Sequence, residues 1–315
     1  MEIADLNRDG KSDLVVANAG SGNVTVLLGD GKGRFTSAPG SPFPAGKSPN
    51  DVAVADVNHD GYLDLVFANH DTTYLTLLLG DGKGGFTPAP SSPITVQSRP
   101  HPHGVGAADL NGDGRADIVT TNLDGASVTV LLSDGKRGFV PAPGSPFPAG
   151  KKPFGVAIGD VNGDGRPDLI VGNWGGHPED ESFDAVNVLL GEGKGKFSPL
   201  PGSPLRAGRG PARVAIGDLN GDGFGDVAVA NYVGDDVTVF YGSRRGLRRG
   251  PTLKTGHRPQ GIAVGDLNGD GRGDIATANS EEDTLTLFLS TGTGDSPPRS
   301  ATFGAPSSPR PTDDL

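Results

Sequence analysis

Six times along its 315 residues the chain repeats one nine-residue pattern, D-x-N-x-D-G-x-x-D, and nothing else restricts its fold as tightly. The copies start at Asp5, Asp56, Asp109, Asp160, Asp218 and Asp266, at intervals of 51, 53, 51, 58 and 48 residues. The flanks repeat as well: GVAIGDVNGDGRPDLIVGN at 155–173 aligns with GIAVGDLNGDGRGDIATAN at 261–279. A period of roughly 50 residues with several short strands per unit is that of propeller blades. Helical repeats would carry an apolar period of roughly 3.6 residues, and none is present.

One unit reads as four strands. Strand A (51–56, DVAVAD) runs into the loop, strand B (64–69, DLVFAN) leaves it, and strand C follows (23–29, NVTVLLG, and its copies at 127–133 and 284–290). A D-G turn then predicts a hairpin into strand D, centred on Phe35, Phe86, Phe139 and Phe197. A Pro-rich crossover such as APGSPFPAGKSP (38–49) returns to the next strand A. Strand C is apolar on both faces, which suits a sheet sandwiched between two others.

The expectation is an all-β protein: one β-propeller domain of six four-stranded blades over 1–303, with Thr302–Phe303 as a short last strand and 304–315 as a disordered tail. Seven-bladed closure is the alternative, but the 25 residues after 290 are too few for another blade.

Gly (52) and Pro (27) make up about a quarter of the chain, which without a period would indicate disorder; here they are turn chemistry. There is no cysteine, so strand closure or a metal must staple the fold. No run approaches the roughly 20 apolar residues of a membrane-spanning helix. The N-terminus enters a repeat without a signal-like segment, so an export signal, if the protein is secreted, would lie outside this chain. The formal charge is −11, yet the loops hold 18 of the 38 acids, leaving 20 against 27 basic residues. No basic stripe with interleaved aromatics argues for nucleic acid as partner.

Within each loop, Asp, Asn and Asp at positions one, three and five turn short oxygen donors inward. Gly at six permits the bend, position seven adds a carbonyl, and Asp at nine closes the loop. The candidate ligands are Asp5, Asn7, Asp9 and Asp13; Asp56, Asn58, Asp60 and Asp64; Asp109, Asn111, Asp113 and Asp117; Asp160, Asn162, Asp164 and Asp168; Asp218, Asn220, Asp222 and Asp226; and Asp266, Asn268, Asp270 and Asp274. An all-oxygen set favours Ca²⁺ over zinc or copper. About six structural ions are expected, each clipping one blade and together bringing the net charge to about +1. Positions four and seven read as spacers.

These loops resemble those of the FG-GAP/VCBS repeat family, which includes the integrin alpha-chain propeller. The resemblance covers essentially residues 1–290, although the Phe-Gly…Gly-Ala-Pro signature is blurred to RFTSAPG and GFTPAP and the family often has seven blades. It implies an extracellular or cell-surface, calcium-stabilised recognition module, lectin-like or adhesive.

Chain direction puts the A–B loops and C–D turns on one rim and the B–C loops and D–A crossovers on the other. The second rim varies most between copies. After a recurring strand B Asn (18, 69, 122, 173, 231, 279), read as a turn residue with a local backbone bond, stand Ala19, His70, Leu123, Trp174, Tyr232 and Ser280. Trp174 opens the insertion 174–184 and either stacks on a ligand or covers the insertion's own core. Trp174, His177, Tyr232 and His70 are the candidate ligand-binding residues. His101-Pro-His103, on the same rim as His70, reads as a transition-metal pair or as solvated histidines. Arg244, Arg245, Arg248 and Arg249 replace the C–D turn of copy five as a solvated face or an anion contact.

No Ser/Cys–His–acid arrangement is recognisable. The reading is a monomeric, non-catalytic module that binds a glycan or a surface protein. The alternative is a polysaccharide lyase or hydrolase using the His- and acid-bearing rim, where Glu179, Asp180, Glu181 and Asp184 crowd the insertion.

Overall fold

A computed structural model describes residues 1–96, 101–135, 138–174, 184–290 and 298–304. It folds into six antiparallel sheets, one per repeat, with strands in chain order. In the second sheet strand A is Pro49–Ala55, strand B Asp64–Asn69 and strand C Tyr74–Gly80. The A strands of successive sheets pack side by side around an axis, so the sheets are propeller blades. Among the described residues no helix is long and apolar enough to cross a membrane.

Blades two to five bury both faces because their B and C strands lack an alternating polar side, whereas the B strands of blades one and six are only partly buried. Strand B is buried along all six residues in blades two to five. Five apolar clusters fill the five interfaces between consecutive blades; Val24 and Val26 of blade one, for instance, pack with Leu65, Phe67 and Leu78 of blade two. Each Val or Leu so buried contributes about 1.5–3 kcal/mol. No such cluster joins blade six to blade one among the described residues. A cavity of about 490 Å³ opens there and extends onto the central axis, lined by Met1 and Glu2, by Gln260, Ile262, Ala276 and Leu285, and by the strand A residues Asp51, Val105, Gly155 and Arg213 of blades two to five.

In blades one to four strand D comes in two pieces, such as Phe35–Ser37 and Phe43–Pro44, both paired with strand C. Two residues of the expected crossover 38–49, Phe43 and Pro44, are therefore strand. At the break a Ser hydroxyl replaces the missing rung: Ser41, Ser92, Ser145 and Ser203 Oγ accept the N–H of Val26, Leu77, Val130 and Val188 at 2.9–3.1 Å. Blade five has a continuous strand D, Arg248–Lys254, and blade six ends in Arg299–Gly304. The tail 305–315 lies outside the described residues.

Candidate functional site

Loop geometry follows from its short acceptors. In the second copy the Asp60 N–H is shared by Asp56 Oδ1 (3.1 Å) and Asn58 Oδ1 (2.9 Å), and Gly61 N–H reaches Asp56 Oδ2 at 2.8 Å. Gly61 sits at φ 85°, a left-handed conformation that costs a glycine little. Position four is left-handed too, including His59 at φ 60° and Arg8 at 63°, so it is a conformational position rather than a neutral spacer. Side chains three and five meet, with Asn58 Nδ2 2.9 Å from Asp60 Oδ2. In the sixth copy Asn268 Nδ2 lies 3.4 Å from Asp274 Oδ1, linking positions three and nine. The N–H of Gly271 leads the influences that hold the Asp266 carboxyl below the usual range.

The position-nine acids differ. Asp13, Asp64, Asp117, Asp168, Asp226 and Asp274 are all fully buried. Asp64 accepts the Val57 N–H on Oδ2 (3.0 Å) and the strand C Gly80 N–H on Oδ1 (2.9 Å), and every copy repeats the pair. Burial nevertheless pushes Asp64, Asp117, Asp168 and Asp226 up to about 6. Each carboxylate oxygen keeps a second lone pair, so the all-oxygen set fits a hard cation. No trio of acids within a loop closes to 4.8 Å; the one trio among the described residues that does is His70, Asp71 and His101, on the other rim.

That rim rests on a repeated backbone bond. The residue after the strand B Asn donates its N–H to the residue before the strand A proline: His70 to Ser48, Leu123 to His101, Trp174 to Lys152, Tyr232 to Gly210 and Ser280 to Arg258, at 2.8–3.1 Å. The Asn carbonyl accepts a local turn N–H, as from Gly125 on Asn122 (3.0 Å), but its side chain bonds beyond the turn. Asn18, Asn122, Asn231 and Asn279 donate to a strand C threonine, and Asn69 and Asn173 to crossover carbonyls. Asn69 Nδ2 donates to the carbonyls of Ala45 (2.8 Å) and Lys47 (3.2 Å), and its Oδ1 accepts from Thr76 on strand C (2.9 Å).

On this frame the variable side chains form a ledge across blades two to six. His70 faces His103 (ring centroids 5.4 Å apart), His103 stacks on Phe154 (3.5 Å), Phe154 meets Trp174 (5.0 Å), and Trp174 meets Tyr232 (6.3 Å). Arg258 caps the row 5.4 Å from the Tyr232 ring. Burial, aided by Arg213 and the other histidines, drives His103 down to about 2, so it is a neutral ring in this row. The indole N–H of Trp174 is buried without an acceptor among the described residues. Three of the four candidate binding residues thus lie on one ledge. His177, like Glu179, Asp180 and Glu181, lies outside the described residues. Sequence reasoning missed Phe154; the signal was its place just after the strand A proline, equivalent to Asn50 and His103. Of the basic cluster, Arg248 lies over the Tyr241 ring (5.1 Å) and Arg249 donates to the Arg206 carbonyl.

Fold and loops together define a β-propeller whose blades each carry an acidic, oxygen-lined A–B loop. The FG-GAP-like repeat matches residues 5–67, 56–120, 109–171, 176–229 and 220–277, and the FG-GAP repeat matches 259–296. The chain belongs to the FG-GAP-like repeat family. It is 38% identical to human integrin alpha-7 over 108 residues, 31% of this chain and 9% of that protein. It is 30% identical to chicken (Gallus gallus) integrin alpha-V over 166 residues, 48% and 16% respectively. The chain therefore matches less than a fifth of either integrin's length. Among solved structures it resembles an Agrocybe aegerita lectin that recognises non-reducing terminal N-acetylglucosamine (TM-score 0.58, 22% identity, 96% of this chain, 79% of that one). It also resembles Staphylococcus aureus virginiamycin B lyase (TM-score 0.57, 14% identity, 98% and 89%). At these identities the likeness is one of fold.

Proposed function

We propose that this chain is a calcium-stabilised, non-catalytic recognition module that binds a glycan or a surface protein outside the cell, as a monomer. The observation that carries this reading is the ledge of His70, His103, Phe154, Trp174 and Tyr232. Varied aromatic side chains on a repeated backbone frame form a rigid, amphipathic surface suited to stacking on sugar rings or a partner's side chains. The loops on the opposite rim, with the ligands named above, hold Ca²⁺ as structural clips, because each ties strands A, B and C of its own blade together. Adhesion of the kind associated with the integrin relatives and sugar binding of the lectin kind are both compatible with this division of the two rims.

A glycan array, with a parallel screen of cell-surface proteins, tests the proposal. Binding without product change, weakened at least about tenfold by Trp174→Ala or Tyr232→Ala, is the expected result. Glycan cleavage abolished by His70→Ala or His177→Ala would overturn it in favour of a lyase or hydrolase.

A further inference from the structure

Between blades two and three, on the ledge rim, two histidines point their Nε2 atoms at each other 2.6 Å apart. Their rings stand at 86°, centroids 4.0 Å apart. The other nitrogen of each faces an acid: His101 Nδ1 lies 3.2 Å from Asp124 Oδ2, and His70 Nδ1 lies 3.2 Å from Asp71 Oδ2. A carboxylate accepts only, so each contact places the ring's proton on Nδ1. Both Nε2 lone pairs then face one another, an arrangement that is repulsive unless a cation sits between them. Asp71 supplies the third donor, its Oδ1 3.6 Å from His101 Nε2.

We infer that His70, His101 and Asp71 form a binding site for one divalent first-row transition cation of the zinc type, separate from the oxygen loops. Two imidazoles and a carboxylate are the donor set such ions take, where calcium takes oxygen alone. Nitrogen–metal bonds of about 2.0–2.1 Å in a tetrahedral site set the two nitrogens about 3.3 Å apart. His70, a third exposed on its loop, has room to make that adjustment. Asp124 supplies the outer carboxylate that orients His101, and is itself held by Lys152 at 2.8 Å.

The backbone presents His101 in an uncommon way. Its φ is 119°, whereas the equivalent residues Ser48, Lys152, Gly210 and Arg258 lie between 46° and 67°. Its N–H is tied to the Thr72 carbonyl (3.0 Å) and its carbonyl to the Leu123 N–H (3.1 Å), so blades two and three jointly fix a conformation that a lone histidine avoids. His103 is not a ligand: it is buried against Phe154, with Asn50 Nδ2 3.1 Å from its Nδ1. The cation would seat the free end of the ledge and offer its remaining coordination position to a ligand on the same rim.

Metal-stripped protein held in millimolar Ca²⁺ is titrated with Zn²⁺ by calorimetry and with Co²⁺ by visible absorption. One equivalent should bind, with cobalt bands of nitrogen-containing tetrahedral coordination. His70→Asn and His101→Gly should each weaken binding more than about 100-fold, Asp124→Asn about 10–100-fold, and the exposed His257→Ala not at all. Gly210 occupies the His101 position in blade five, so His101→Gly suits the backbone, and an unchanged melting midpoint in Ca²⁺ certifies folding. Failure of wild-type protein to bind, cobalt coordinated by oxygen alone, or binding indifferent to both histidine variants would overturn the site and leave the pair sharing a proton.

Discussion

The carboxylate of Asp64, last residue of a loop on one rim, accepts the amide N–H of Gly80 at the end of strand C, 2.9 Å away and 16 residues later in the chain. Its other oxygen holds Val57 at the loop's second position. The equivalent acids accept from Gly29, Ser133, Gly191, Gly242 and Ser290 at 2.8 Å. The acid that closes a loop is thus also the bolt between that loop and the sheet.

Asp226→Asn should therefore destabilise the protein in EDTA as well as in Ca²⁺. An amide turns an N–H toward one of the two donors, Leu219 or Gly242, and leaves it unpaired in a buried site. A loss of about 1–3 kcal/mol is expected in urea unfolding with EDTA present. A loss seen only with calcium would mean that the acid acts through the ion alone.

On the proposed function, calcium removal should lower the melting midpoint by more than about ten degrees, because the proposed loop sites would bind the native state alone. The gain should depend on pH. Asp64, Asp117, Asp168 and Asp226 titrate near 6 when folded, above their unfolded range near 3.8. The folded metal-free chain binds more protons than the unfolded one in that window, so these groups cost it stability as pH rises from about 4 to 6. Calcium needs the ionised form and competes with those protons. The midpoint difference between Ca²⁺ and EDTA should widen from pH 5 to pH 7; a constant difference in calorimetric scans would refute the linkage.

His59→Gly should stabilise by up to about 1 kcal/mol, since left-handed backbone costs a side chain about 1–2 kcal/mol and glycine's greater unfolded entropy offsets part of the relief. His59 is exposed at φ 60°, and the third to sixth copies carry Gly there. Thermal melts at fixed calcium read the change.

Ser92→Ala should cost about 1–3 kcal/mol, because it removes the hydroxyl that accepts the Leu77 N–H in the gap of strand D. Ser92→Thr keeps the acceptor and should recover much of the loss in the same denaturation assay.

The sequence alone determined the blade. Six loops at a near-constant spacing, with apolar strands on either side, admit no helical reading, and chain direction alone separates the loop rim from the variable rim. His70, Trp174 and Tyr232 were legible as candidates because they fill one aligned position after the strand B Asn. Which of them meet was not legible. His70, His103, Phe154, Trp174 and Tyr232 become neighbours only because consecutive blades pack at a set angle around one axis, an angle fixed by interlocking apolar faces and invisible to any pattern within a single repeat. The same holds for the bolt from Asp64 to Gly80, for the Asn hub and for the Ser that fills strand D: each partner is chosen by pairing register. The facing pair of His70 and His101 belongs to two blades, so packing between sheets, not local sequence, brings its nitrogens together.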